Sequence, residues 1–155
     1  MVKTNSKASI ATKITLFASL LSVLIFFVTP IFFIGLASGL EVVMGFDAIL
    51  GLKANYDFNW YIYIACLLFL IMGITTYYIG PKAKGYYIFA AIVFVLLAVV
   101  CFNSKSWFIN GSMHFEYGSY YKDSAHLGIG PWFAGIASIV SCITCIIDFR
   151  TYKFR

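Results

Sequence analysis

Three groups of residues have the types and spacing that could do chemistry. Cys142 and Cys145 stand in C-x-x-C spacing, which suits redox dithiols and pairs of zinc ligands. They lie inside an apolar run with no second ligand pair, where cysteine behaves as a small hydrophobe, so packing is the expected role. Cys145 is also close enough to the end of that run for S-acylation. His114, Glu116, Asp123 and His126 bring imidazole and carboxylate together in one polar stretch, and His114 and Glu116, two apart, would share a strand face. Their spacing matches no ligand motif, so no metal site is assigned. Asp148, near the end of the last apolar run, reads as interfacial and within reach of Arg150 or the basic tail. No G-x-S-x-G pattern and no phosphate-cradling glycine loop is present. Catalytic residues, cofactors and metals are therefore not expected, and neither is enzymatic activity.

The elements that would position these residues are apolar segments. Of the 155 residues, 62% are hydrophobic and 11% charged, against about 45–50% and about 25% in ordinary soluble domains. The sequence predicts one all-α membrane domain over residues 1–155, with four spans in an antiparallel up-down bundle. The spans run about 14–36, 59–79, 86–102 and 128–149, joined by outer loops at 37–58 and 103–127 and by the tight basic turn Gly80-Pro81-Lys82-Ala83-Lys84-Gly85. Pro30 is expected to bend the outer third of the first span. The 23-residue first run is too long for the core of a secretory signal peptide.

Charge sorts along this topology. Lys3, Lys7, Lys13, Lys82, Lys84, Arg150, Lys153 and Arg155 fall on one side and Lys53, Lys105 and Lys122 on the other, with Glu41, Asp47, Asp57, Glu116 and Asp123. The bias predicts a multi-pass protein of the cell membrane with both termini cytoplasmic. It also explains a net charge of +5 without nucleic acid, because the basic residues follow topology rather than one accessible face. A modest attraction of the inner ends to anionic lipid is the by-product.

Two sets of residues suit contact. Gly135, Ser138, Cys142 and Cys145 recur at intervals of three, four and three, giving the fourth span a small face for a neighbouring backbone. Ala91 and Ala98, with Cys101, give the third span a matching side. The loop 103–127 holds Trp107, Phe108, Phe115, Tyr117, Tyr120 and Tyr121, aromatic rings that supply large contact area with a polar tip. Around Asn110-Gly111 this loop is expected to turn as a small β-hairpin, and Asn110-Gly111-Ser112 fits the N-glycosylation acceptor pattern.

The order of parts is similar to that of claudin-like and other tetraspan proteins. The likeness is one of topology: residues 37–58 lack the tryptophan motif and paired cysteines of a claudin, and residues 103–127 lack the cysteines of a tetraspanin. No activity or residue role follows from it. The residues lead to the expectation of a small membrane protein that acts by contact. It would be an accessory subunit, modulator or immunity-type partner, bound to lipid and to another membrane protein or to itself. The alternative is a conduit for a small uncharged or apolar solute, lined by Ser19, Ser22, Thr29, Thr75, Thr76, Ser138, Ser141 and Thr144.

Overall fold

A computed structural model describes residues 8–36, 39–50, 60–106 and 125–152. Among them, four helices are long and apolar enough to cross a membrane, as those of a multi-pass membrane protein must be. They are α1 (Ile10–Val28), α3 (Trp60–Ile79), α4 (Lys84–Phe102) and α5 (Ile129–Thr151). Between α1 and α3 lie strands β1 (Pro30–Leu36) and β2 (Gly39–Met44) and the short helix α2 (Gly45–Leu50). Strand β3 (Ala125–Leu127) leads into α5, and a 3-10 turn (Gly80–Lys82) joins α3 to α4.

The first helix is set by its two ends. Ser9 takes the N-cap position, its hydroxyl accepting from the Thr12 N–H at 2.9 Å and so answering one of the free donors of the first turn. At the other end Pro30 has no N–H to continue the helix and disfavours helical backbone at Thr29, which is extended at φ −103°, ψ 164°. The first span expected over 14–36 is thus corrected: the helix stops at Val28, and Pro30 terminates it rather than bending it. The released stretch Pro-Ile-Phe-Phe-Ile-Gly-Leu is rich in β-branched and aromatic residues and becomes β1.

The sheet has the order β2-β1-β3, with both pairings antiparallel. Leu36 pairs with Gly39 at the hairpin end, where Gly39 adopts φ +133°, a conformation that side chains with a Cβ rarely take. Phe32, Phe33 and Ile34 pair with Leu127, His126 and Ala125. Within the outer loop read over 37–58, residues 39–50 form a strand followed by a helical turn and a half. The hairpin expected around Asn110-Gly111 lies outside the described residues.

The long helices pack α1 against α5 and α3, and α4 against α5 and, less extensively, α3. Side-chain contacts give the directions: Thr12 meets Asp148 and Thr15 meets Thr144, so α1 and α5 run antiparallel. Ser138 bonds the Phe94 carbonyl while the Phe102 ring meets Trp132, so α4 and α5 also run antiparallel. One end of the helices therefore carries the sheet and the other carries the Gly80–Lys82 turn. These are called the sheet end and the turn end.

On α1 the distribution of polarity is the reverse of that in a soluble domain. The buried side chains of α1 are Thr12, Thr15, Ala18, Ser19, Ser22 and Phe26, four of the six being hydroxyls. Its outward face carries Phe17, Leu20 and Leu24. On α4, Ile92 and Leu96 are 57% and 58% exposed. Apolar surface on this scale does not face water in monomeric soluble proteins.

Close approaches are made at glycines. An added Cβ at Gly73 would fall 2.6 Å from the Ser19 Cβ, and one at Gly45 would fall 1.8 Å from the Phe26 carbonyl oxygen. Gly45→Ala therefore has to push α2 off the end of α1 and should destabilise the protein by about 1–3 kcal/mol. Gly85→Ala, where a Cβ meets nothing within 4 Å, should leave stability unchanged or raise it slightly. Thermal unfolding of the two variants in the same detergent checks the difference.

Candidate functional site

The turn end holds the one cluster that could carry chemistry among the described residues. Asp148, in the last turn of α5, is 4% exposed. Its carboxylate reaches across to the start of α1: Ser9 Oγ donates to Oδ1, and Thr12 Oγ1 donates to Oδ2 at 2.7 Å. Each hydroxyl has a single hydrogen, so with that of Thr12 given to Asp148 the 3.1 Å contact between Thr12 Oγ1 and Tyr87 Oη has Tyr87 as donor. The direction of the chain is then fixed as Tyr87 to Thr12 to Asp148. By the same reasoning the 3.1 Å approach of Ser9 Oγ to Thr12 Oγ1 lacks a hydrogen of its own.

Each element contributes for a local reason. Ser9 is presented because it caps α1, and its oxygen accepts from the Thr12 amide while its hydrogen goes to the carboxylate. The carboxylate thus sits against the N-terminus of α1, where the helix dipole favours negative charge. Tyr87 is brought in by α4, packed edge-on to Tyr152 with ring centroids 6.3 Å apart. Tyr152 in turn donates from Oη to the Pro81 carbonyl at 3.3 Å. Gly80 leaves room for the Tyr87 ring, since a Cβ there would lie 2.7 Å from it. The cluster joins α1, α4 and α5 and the turn that ends α3.

From this end a file of hydroxyls continues between α1 and α5. Thr15 and Thr144 share a hydrogen bond of 2.6 Å. Ser19 and Ser22 donate back to the Thr15 and Ala18 carbonyls, and Ser141 to that of Ala137. Ser138 instead crosses to α4, donating to the Phe94 carbonyl at 2.6 Å. The chemistry of this arrangement is helix association by polar contacts, with one carboxylate held by hydroxyl donors.

The expectation for Asp148 needs correction. It lies near the end of its helix, but it is buried and bonded to hydroxyls, whereas Arg150 is exposed. Two residues further along a helix put a side chain about 200° around the axis, so burial of Asp148 turns Arg150 outward. The span expected from Ile14 onward leaves out Ser9 and Thr12. The available signal was the spacing of Thr12, Thr15, Ser19 and Ser22, at three, four and three, identical to that noted for Gly135, Ser138, Cys142 and Cys145.

Of the residues expected to pack helices, Ser138 and Cys145 are buried on α5, and Gly135 abuts the Phe102 ring, where a Cβ would fall 2.6 Å away. Cys142 is half-buried, and Ser141 beside it is fully buried. Ala91 and Ala98 are buried on α4. Cys66, Cys101, Cys142 and Cys145 are all free thiols. Among the described residues no group of three or more His, Cys, Asp or Glu side chains could hold a metal ion. The aromatic contact set Trp107, Phe108, Phe115, Tyr117, Tyr120 and Tyr121 lies outside the described residues, as do His114, Glu116 and Asp123. No protein-family model matches the chain, and no curated protein or solved structure is significantly similar to it.

Removing the donor at Thr12 leaves part of a buried charge unanswered. Thr12→Val should lower stability by about 1.5–3 kcal/mol, while Thr12→Ser, which keeps the hydroxyl, should fall near the parent. In the double variant Thr12→Val/Asp148→Leu the two losses should be far from additive, because an apolar pair removes the charge and its need together. Unfolding midpoints in detergent, compared over the parent, Thr12→Val, Thr12→Ser, Asp148→Leu and the double variant, decide this.

Proposed function

We propose that this chain is a protein of the cell membrane, threaded four times with both termini cytoplasmic, which works by contact as an accessory subunit, modulator or immunity-type partner of another membrane protein. The observation that carries the reading is where the polar side chains between α1 and α5 direct their bonds. Thr12, Thr15, Ser19, Ser22, Ser138, Ser141, Thr144 and Asp148 all have hydrogen-bond partners within the protein. Their hydroxyl hydrogens are already committed, across helices at Thr12, Thr15 with Thr144, and Ser138, and back to the same helix at Ser19, Ser22 and Ser141. Such groups are poorly placed to bind a passing solute. The surface left for recognition is the apolar exterior of the helices, and in lipid such faces associate by packing at small residues and by shape.

The orientation rests on charge. Lys13, Lys82, Lys84 and Arg150 are at the turn end, and Asp148, the carboxylate described there, is withdrawn from the surface. That is the pattern of a cytoplasmic face. A conduit for a small uncharged or apolar solute is the second reading. It is favoured by Thr76, whose hydroxyl is buried with no hydrogen-bond partner among the described residues. Such a group would be relieved by a polar visitor.

The contact reading predicts that mild detergent extraction, after crosslinking in the membrane, yields this chain joined to a second membrane protein or to another copy. Recovery as a lone monomer under every extraction condition would remove its support. Liposomes loaded with purified protein should show no solute flux above empty vesicles. Flux that is lost in Thr76→Val would turn the assignment toward the conduit.

A further inference from the structure

We propose that the turn end of α4 and α5 carries a seat for the headgroup of an anionic phospholipid, an inference that rests on the membrane reading above. The Lys84 ammonium lies 4.6 Å from the centre of the Phe149 ring, which fixes its position between the two helices by cation–π attraction. Arg150 follows Phe149 directly and is exposed, and Lys82 is exposed on the turn that precedes α4. Lys82, Lys84 and Arg150 thus stand together at the turn end of α4 and α5. The carboxylate that would offset them is absent from that surface, because Asp148 points into the cluster with Ser9 and Thr12. A concentrated positive surface of this kind calls for an anion, and arginine and lysine together suit a phosphodiester.

What selects a lipid over a free phosphate is the surface alongside. Ile88 is one turn along α4 from Lys84, and Ile146 is one turn along α5 from Arg150; both are exposed, at 45% and 43%. Residues four apart on a helix share a face. The charged groups and the apolar strip therefore follow one another in the direction that the headgroup and acyl chains of a phospholipid follow. A basic site close to the membrane gains several-fold in affinity per cation for anionic over zwitterionic lipid.

The test is native mass spectrometry of the whole protein released from nanodiscs containing equal amounts of phosphatidylglycerol and phosphatidylcholine. Phosphatidylglycerol should be retained preferentially, and K84Q and R150Q should each reduce that preference by about fivefold. K84R should preserve it, and K105Q, at the sheet end, should not change it. Excess inorganic phosphate should fail to displace the lipid. Equal retention of both lipids, displacement by phosphate, or an effect of K105Q as large as that of K84Q would overturn the proposal. Alkaline washing of membranes separates this from the reading beneath it: a protein that stays in the pellet yet shows no lipid preference loses the headgroup site and keeps its place in the membrane.

Discussion

A carboxylate taken out of water at the end of a helix must be answered by donors, and this requirement ties the turn end of the protein together. Burying such a charge without partners costs several kcal/mol, whereas a hydrogen bond to a charged group returns about 1.5–3 kcal/mol. Asp148 therefore holds its place only while Ser9 and Thr12 face it, and both belong to the opening turn of α1. The N-cap, the first turn and the last turn of α5 are consequently one unit. Tyr87 extends the unit to α4, and through Tyr152 and Pro81 it reaches the turn after α3. A helix start that is frayed in isolation is here held in place by a group that is distant in sequence.

The sheet end is organised by a different constraint. Pro30 forces the chain out of the helix while it is still strongly apolar, and backbone groups in apolar surroundings need partners. The hairpin of β1 and β2 supplies them along one edge of β1, and β3 supplies them along the other. The Gly128 amide then donates to the Ile31 carbonyl at 2.6 Å, and the Gly45 amide to that of Thr29 at 3.0 Å. Both glycines sit where a Cβ would overlap backbone: at Gly128 it would fall 2.3 Å from the Pro30 carbonyl oxygen. Ile31, Phe32, Ile34 and Val43 are completely buried as a result. The two ends thus differ in kind, one held by hydroxyls and charge, the other by strand pairing and apolar side chains.

Three of the long helices were legible because length and apolarity alone define them: the expected spans 59–79, 86–102 and 128–149 match the helices α3, α4 and α5 to within about two residues, the usual spread at helix ends. The first was not, since hydropathy continues unbroken through Pro30 and does not distinguish a bent helix from a helix followed by a strand. Local chemistry at Thr29-Pro30 held the answer, together with the β-branched and aromatic residues that follow. The pairing of β1 with β3 was beyond reach, because it joins segments separated by most of the chain. The Asp148 cluster was hidden for a related reason. A charge pattern suggests the nearest cation as its partner, whereas packing supplied hydroxyls from residues 9 and 12. Small-residue spacing on α5 was visible in the sequence, but which of Ser141 and Cys142 turns inward depends on the rotation of the helix against α1 and α4, and that is a property of the assembled bundle.

Placing hydroxyls inside and large aliphatic side chains outside also bears on how such a protein can be specific. In water, helices associate because apolar surface is withdrawn from solvent; in lipid that drive vanishes, and polar bonds with close packing must hold the bundle. The bonds that cross between helices, Thr12 to Asp148, Thr15 with Thr144, and Ser138 to the Phe94 carbonyl, meet that need internally. The exterior is then free of any obligation to the fold, and its side chains can vary in shape without disturbing the polar contacts within. Phe17, Leu24, Ile92, Leu96 and Ile143 are examples of residues that the fold leaves without a buried role. Under the proposed function, a second membrane protein reading those faces would distinguish this chain by contour, and the cationic turn end would set the direction in which the contour is presented.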